Sequence, residues 1–289
     1  MLENLFSLKG KTAIVTGASY GLGVTFAEAL ATAGANVVLA ARNRQRLDEV
    51  AARINATGAS ALAAPCDVSA PDQVAAMVLA ASSRFGRIDV LVNNAGVAAD
   101  AGIAPEKVPH GLFAQTIAVN LSGVWYCCRE TGAHMLAAGR GGSIVNIASI
   151  MGLVGQADLS PAYQASKAAV INLTRSLACS WGDRGVRVNA IAPGWFPSEL
   201  TTPVFDMPGF LDWTKRQSPL KRIGDPKELI GPLLFLASGA SSFVTGETLV
   251  VDGGITAGGA AGRLPDGFYQ TMAAALPPEL AGHITAPGV

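Results

Sequence analysis

Short β-branched runs alternate with longer Ala- and Leu-rich segments along most of the chain. TAIVTG (12–17), NVVLAA (36–41), SALAAPCD (60–67), IDVLVNNAG (88–96), GSIVNIAS (142–149) and VRVNAIAPG (186–194) are nearly continuous apolar runs ended by turn residues, the pattern of strands buried on both faces. Between them, LGVTFAEALATAG (22–34), RQRLDEVAARINATG (44–58), PDQVAAMVLAASSRFG (71–86), the stretch 112–138 and YQASKAAVINLTRSLACSW (163–181) have helical spacing, and several close on Gly. PKELIGPLLFLAS (226–238) and GETLVVDGG (246–254) add a final helix and strand. Alternating βα units predict an α/β fold, a parallel, doubly wound sheet with helices on both faces. Ligands then belong at the carboxyl ends of the strands.

The chain has 289 residues, half of them hydrophobic, enough to bury a sizeable core, and no repeat, low-complexity tract or Pro/Ser-rich linker marks a boundary. A single domain is expected. Lys plus Arg equals Asp plus Glu at 21 each, so no summed field attracts nucleic acid or an anionic membrane, and a small molecule is the expected partner. No apolar stretch reaches the roughly 18 residues needed to span a bilayer, and MLENLFSLKGK lacks a basic region followed by an apolar run. A cytoplasmic protein is predicted. Cys66, Cys127, Cys128 and Cys179 show neither CxxC nor metal-ligand spacing, and His110, His134 and His283 are scattered, so no metal is expected.

The first strand runs straight into TGASYGLG, with Gly17, Gly21 and Gly23 before a helix. At such a junction backbone N–H groups and the helix dipole meet a pyrophosphate, and missing side chains permit close approach. Gly17, Ser19, Tyr20, Gly21, Leu22 and Gly23 are therefore candidates for dinucleotide contact, although the spacing is GxxxGxG and glycine-rich turns also serve tight packing. After the second strand an NAD site wants a carboxylate for the ribose hydroxyls; Ala41 offers none, and Arg42 offers a guanidinium for a 2′-phosphate. NADP(H) is the preferred cofactor, with NAD(H) as the alternative.

In SPAYQASKAAV (160–170), Tyr163 and Lys167 share a helix face. A free phenol, with a pKa near ~10, is a poor proton shuttle at neutral pH. A positive charge about 4 Å away, at an effective dielectric of about 20, favours the phenolate by up to ~4 kcal/mol and predicts a pKa close to neutral. Taken alone, the spacing also describes an interfacial Tyr beside a surface Lys.

With TGxxxGxG, NNAG (93–96), a Ser on the strand before the YxxxK helix, and Pro-Gly after the next strand, residues 7–254 resemble the short-chain dehydrogenase/reductase family in its single-domain, Rossmann-type form. The resemblance implies residues 1–254 as a three-layer catalytic domain and 255–289 as a C-terminal extension. It gives Tyr163 the role of general acid/base and Lys167 that of contacting the nicotinamide ribose and lowering the phenol's pKa. Ser149 matches the serine that hydrogen-bonds the substrate oxygen, and Asn120 the asparagine that holds a water in the proton relay. Asp67 and Val68 resemble the adenine-contacting pair; Asn94, Ala95 and Gly96 resemble the run that lines the cofactor; Pro193 and Gly194 match the turn beside the nicotinamide, with Phe196 and Ser198 following. Tyr20 stands where many NADP-dependent relatives carry a second basic residue, which weakens NADP discrimination. Ser198 replaces a common threonine and keeps the hydroxyl.

The implied reaction is hydride transfer between a secondary alcohol and a ketone, on a sugar acid, polyol, cyclic alcohol or 3-oxoacyl thioester. The alternative is a non-catalytic NADP(H)-sensing binding protein on the same fold. The segment 195–222 is expected to form a helical lid whose Trp195, Phe196, Phe205, Met207, Phe210 and Trp213 either wall the substrate pocket or pack the lid itself. In the extension, GFYQTMAAAL (267–276) has the pattern of a short amphipathic helix, and the tail is expected either to be a disordered end or to dock on a neighbouring subunit. By resemblance the assembly is a homodimer or homotetramer built on the YxxxK helix and the one before it.

Overall fold

The computed structural model describes residues 5–157, 159–198 and 201–258, so 259–289, including the expected tail helix, lie outside the described residues. Seven strands, β1 (Thr12–Thr16), β2 (Asn36–Ala41), β3 (Ala61–Pro65), β4 (Val90–Asn93), β5 (Gly142–Ile147), β6 (Val186–Pro193) and β7 (Thr248–Val251), form one sheet in the order β3-β2-β1-β4-β5-β6-β7. Every neighbouring pair is parallel, in registers such as Ala13 with Val37 and Val92 with Val145. From β3, at one edge, the chain crosses to β4 beside β1. That reversal of strand order opens a crevice at the carboxyl ends of β1 and β4.

The helices are α1 (Gly21–Thr32), α2 (Arg44–Ala56), α3 (Pro71–Phe85), α4 (His110–Ile117), α5 (Gly123–Ala138), α6 (Pro161–Trp181), α7 (Thr202–Phe205), α8 (Phe210–Gln217) and α9 (Ile230–Ala237). Successive strand residues point to opposite faces, and both faces are apolar. Val15, Leu39 and Val92 pack with Phe26 and Leu30 of α1, Leu47 of α2 and Leu233 of α9. Ile14, Val38 and Leu91 pack on the other face with Met77 of α3, Val124 and Cys128 of α5, and Val170 of α6. A doubly wound, three-layer sandwich is the arrangement that buries continuous apolar strands on both sides.

The single helix expected over 112–138 is interrupted. Between α4 and α5 lies one π turn, Ala118–Ser122, and Asn120 sits inside it, fully buried. π turns inside α-helices accommodate one extra residue and recur where a side chain is re-aimed. The expected lid contains α7 and α8, two short helices after β6. Among the described residues no helix is long and apolar enough to cross a membrane, and no group of His, Cys, Asp and Glu has the makings of a metal site. Cys66, Cys127 and Cys128 are buried, and Cys179 is exposed.

Candidate active site

A cleft of about 760 Å³ opens at the carboxyl ends of β1, β4, β5 and β6. Every expected cofactor residue except Gly23 lines it, together with Ser149, Tyr163 and Lys167. Gly23 is set behind the loop: a Cβ there would lie 2.1 Å from the Gly17 carbonyl oxygen, so α1 and the turn before it touch backbone to backbone. Gly17 has φ +67° and packs against Asn94 and Ala95, where a Cβ would meet the Ala95 Cα at 2.9 Å. These glycines leave a backbone cradle at the N-terminus of α1, where free N–H groups suit an anion.

Hydrogen bonds between strand ends hold the cradle. The Thr16 hydroxyl accepts from the Asn94 and Ala95 N–H groups at 3.0 and 3.1 Å, and the Asn94 amide donates to the Thr16 carbonyl at 3.0 Å. On the far side of Gly96, the Asn120 amide accepts from the Val97 N–H and donates to the Val97 carbonyl, each at 2.8 Å, and donates to Ser166 on α6 at 3.1 Å. Asn120 does not line the cleft. Its side chain ties the loop after β4 to α6, and the π turn is what aims it there.

Helix α6 presents the Tyr/Lys pair. Its N-cap, Ser160, accepts from the Tyr163 N–H at 3.0 Å, and Pro161 supplies the preset first turn. Behind the cap stands Asp100, fully buried, which accepts from the Ser160 hydroxyl, from the Ala162 N–H at 3.0 Å and from the Thr116 hydroxyl at 3.3 Å. Burial pushes this carboxyl up, but the bonds from Ser160, Ala162 and Thr116 outweigh it, and the net shift is downward. A negative charge at a helix N-terminus also meets the positive end of the dipole. The sequence reading missed Asp100; a lone Asp in VAADAG carries no motif, and only the fold sets it under the helix.

Lys167 is 4% exposed, donates to the Ile147 carbonyl at 2.6 Å, and has no carboxylate partner among the described residues. Burial pulls its pKa down to about 8. The ammonium lies 5.5 Å from the Tyr163 ring centroid. The expected lowering of the Tyr163 pKa is not what this geometry gives: burial raises the phenol above its ordinary value, and a hydrogen bond with Ser149 offsets part of that. Desolvation, which disfavours the charged form of both groups, opposes the attraction that spacing alone suggests. Ser149, at the end of β5, accepts from the Met151 N–H at 3.1 Å and opens the turn Ile150–Gly152, which packs against the backbone of Lys167.

At the opposite end of the cleft lie Arg42, Asn43, Asp67 and Val68. Arg42 is exposed, and Asp67 accepts from both the hydroxyl and the N–H of Ser69, at 2.7 and 2.9 Å. Val97, Ala98, Ala99, Gln115 and Thr201 also line the cleft and were not singled out in the sequence.

Of the two roles expected of the lid aromatics, the structure gives mainly packing of the lid itself. Of the six residues named, Phe196 alone lines the cleft, while Trp195 faces a separate cavity of about 100 Å³. Trp195 instead stacks edge-on with Phe205, Phe210 and Trp213 at centroid separations of 5.3 to 6.2 Å, and Met207 is exposed. Edge-to-face stacking among the rings satisfies them without a ligand. Phe196 is buried against Gly224, and Ser198 meets Thr201 at 3.0 Å between hydroxyls, so polar groups from the lid border the cleft.

A family profile described as enoyl-(acyl carrier protein) reductase matches residues 17–256. A gluconate 5-dehydrogenase of Gluconobacter oxydans is 41% identical over 253 residues, covering 88% of this chain and 97% of that protein. A D-threitol dehydrogenase of Mycolicibacterium smegmatis is 40% identical over 252 residues, covering 87% and 95%. The crystal structure of a gluconate 5-dehydrogenase from Burkholderia cenocepacia, in complex with NADP and tartrate, superposes with a TM-score of 0.85 at 36% identity, covering 89% of this chain and 99% of that one.

Proposed function

The chain belongs to the short-chain dehydrogenase/reductase family, and on that premise we propose that it is an NADP(H)-dependent oxidoreductase that interconverts a secondary alcohol and a ketone on a sugar acid or polyol. The observation that carries the reading is a buried lysine with no counter-charge among the described residues, beside a tyrosine and a serine at the carboxyl edge of the sheet, all facing one cleft. Burying a cation is costly, and a fold retains one chiefly where chemistry uses it.

The residues present fit the cofactor. Gly17, Ser19, Tyr20, Gly21 and Leu22 would hold the pyrophosphate end, Asp67 and Val68 the adenine, and Arg42 the 2′-phosphate. Asn94, Ala95, Gly96, Lys167, Pro193, Gly194, Phe196 and Ser198 would hold the nicotinamide half. When bound, NADP(H) supplies or accepts the hydride. Because burial raises its pKa, the Tyr163 phenol is protonated at neutral pH and stands ready to donate to a carbonyl oxygen as it gains negative charge; in the reverse direction the phenolate takes the hydroxyl proton. The Ser149 hydroxyl holds the same oxygen. Lys167, charged below pH about 8, stabilises the phenolate left behind. The Asn120 side chain is committed to Val97 and Ser166, and its part in a proton relay rests on the family pattern.

Substrate class rests on the polar lining, Gln115, Ser198 and Thr201 beside Ser149, which suits a hydroxyl-rich molecule, and on the gluconate and threitol named for its relatives. We assign residues 1–254 to the catalytic domain and 255–289 to an extension, and a homodimer or homotetramer to the assembly; half-exposed Trp125 on α5 is compatible with helix pairing there. The test is NADPH oxidation, with NADH in parallel, over keto-sugar acids, keto-polyols, cyclic ketones and 3-oxoacyl thioesters. Turnover confined to the first two classes with NADPH ahead supports the reading. Turnover of thioesters or cyclic ketones alone, or NADH ahead, contradicts it.

A further inference from the structure

Beside the adenosine end of the cleft stands Arg46, a cation that the proposed function leaves unused. Tyr20, at the tip of the Gly-rich loop, lines the cleft with Arg42 and Asn43. It is the N-cap residue of α1 but makes no side-chain cap bond. The Arg46 guanidinium lies over its ring, with Cζ 5.0 Å from the centroid, which is a cation–π distance. Arg46 stands in the first turn of α2, and its N–H donates to the Asn43 side chain at 3.1 Å. The cap that starts α2 therefore sets Arg46 beside the end of β2.

The neighbouring arginines are differently engaged. Arg44 donates to both carboxylate oxygens of Asp48, at 2.8 and 3.0 Å, and Arg53 pairs with Glu28 at 3.2 Å. Arg46 has a looser approach to a carboxylate, 3.8 Å to Glu49, whose other oxygen is taken by Gln45 at 3.1 Å. Arg42 does not act alone on an anion either: the Ser69 hydroxyl and then N–H, with a smaller effect from the Arg42 charge, hold Asp67 below the usual carboxylate range. Part of the Arg42 field is spent on Asp67. A phosphate monoester, with a charge near −2 at neutral pH, is better matched by two guanidinium groups than by one.

We infer that Arg46, held on the face of Tyr20, is the second cation of a 2′-phosphate subsite whose first is Arg42. Tyr20 then serves as the platform for a basic residue that reaches the site from α2 rather than from the loop. The aromatic at position 20, which reads in the sequence as a weakening of NADP preference, becomes part of it. The inference rests on the NADP(H) reading and adds Arg46 to it, with a second role for Tyr20.

Calorimetric binding of 2′,5′-ADP and 5′-AMP separates the two, because it needs neither substrate nor turnover. Wild type is expected to bind 2′,5′-ADP more tightly. Arg46→Ala should weaken 2′,5′-ADP roughly ten-fold, the loss of one charge-assisted contact, and change 5′-AMP by less than about two-fold, and Tyr20→Leu should lower the ratio of the two affinities by a similar factor. Tyr20→Phe, which keeps the ring face, should preserve the ratio of the two affinities. If Arg42→Ala erodes the preference while Arg46→Ala leaves it intact, the inference fails and the NADP(H) reading survives. If Tyr20→Leu acts and Arg46→Ala does not, the ring works by itself and the inference fails as well. Equal affinity of wild type for both nucleotides would overturn the NADP(H) reading and the inference with it.

Discussion

The floor of the cleft and its roof are built from different forces. On the floor, Thr16, Asn94, Asn120, Ser160 and Asp100 form hydrogen bonds that cross from one strand end or helix to another, and each joins residues far apart in sequence. On the roof, Trp195, Phe205, Phe210 and Trp213 hold one another through ring edges within some twenty residues of chain, and Phe196 with Ser198 and Thr201 borders the cleft. Hydrogen-bond networks are directional and fail when one member is lost; apolar clusters tolerate exchange of shape at constant volume. The floor is suited to fixing reacting groups and the roof to choosing what they act on.

Three substitutions sharpen that contrast, in falling order of effect. Lys167→Met keeps the stem and removes the charge, and kcat for carbonyl reduction should fall by about 10²–10³. Because the Lys167 pKa is held down to about 8 by burial, wild-type reduction should also decline as pH rises through that value, a limb that Lys167→Met lacks. Steady-state pH profiles check both. A wild-type rate flat from pH 7 to 9 would detach Lys167 from the reaction.

Asp100→Asn comes next. It should lower stability by about 2 kcal/mol at pH 7, by weakening the cap under Tyr163. The sign follows from the shift: a carboxyl with a lowered folded pKa stabilises above its unfolded value, and loses that contribution as pH falls through the folded one. The gap between wild type and variant in urea denaturation should therefore be constant from pH 7 to 5 and narrow below pH ~4. A gap that widens on acidification would show Asp100 to be protonated in the folded protein. The smallest effect belongs to the roof. Trp213→Leu should leave kcat nearly unchanged and alter substrate KM by a few-fold, about 1 kcal/mol of lid packing. A loss as large as that of Lys167→Met would erase the distinction between floor and roof.

Much of the fold was legible because strands buried on both faces read as unbroken apolar runs. β1, β2 and β5 fall within the segments that pattern marks, and β4 closes on the NNAG turn it predicts. The Gly-rich junction was legible for a similar reason, since Gly17 and Gly23 stand where backbone must touch backbone. What the sequence concealed depends on contacts between distant segments. The π turn at Asn120 exists to reach Val97 and Ser166, Asp100 gains meaning only beneath Ser160, and Arg46 acquires a platform only when the loop after β1 meets α2. The YxxxK spacing marks two residues that the fold brings into one cleft, but their electrostatics depend on burial, which no spacing reports.

Tyr163→Phe, compared with wild type by NADPH binding and by NADPH oxidation on the best substrate of the panel, tests the central claim most directly. The ring remains, so NADPH affinity should stay within about two-fold, while kcat should fall by about 10²–10⁴, the share of a positioned general acid. A variant that binds NADPH and turns over at the wild-type rate would contradict the account, because the proton would then reach the substrate oxygen from a group other than the phenol on α6.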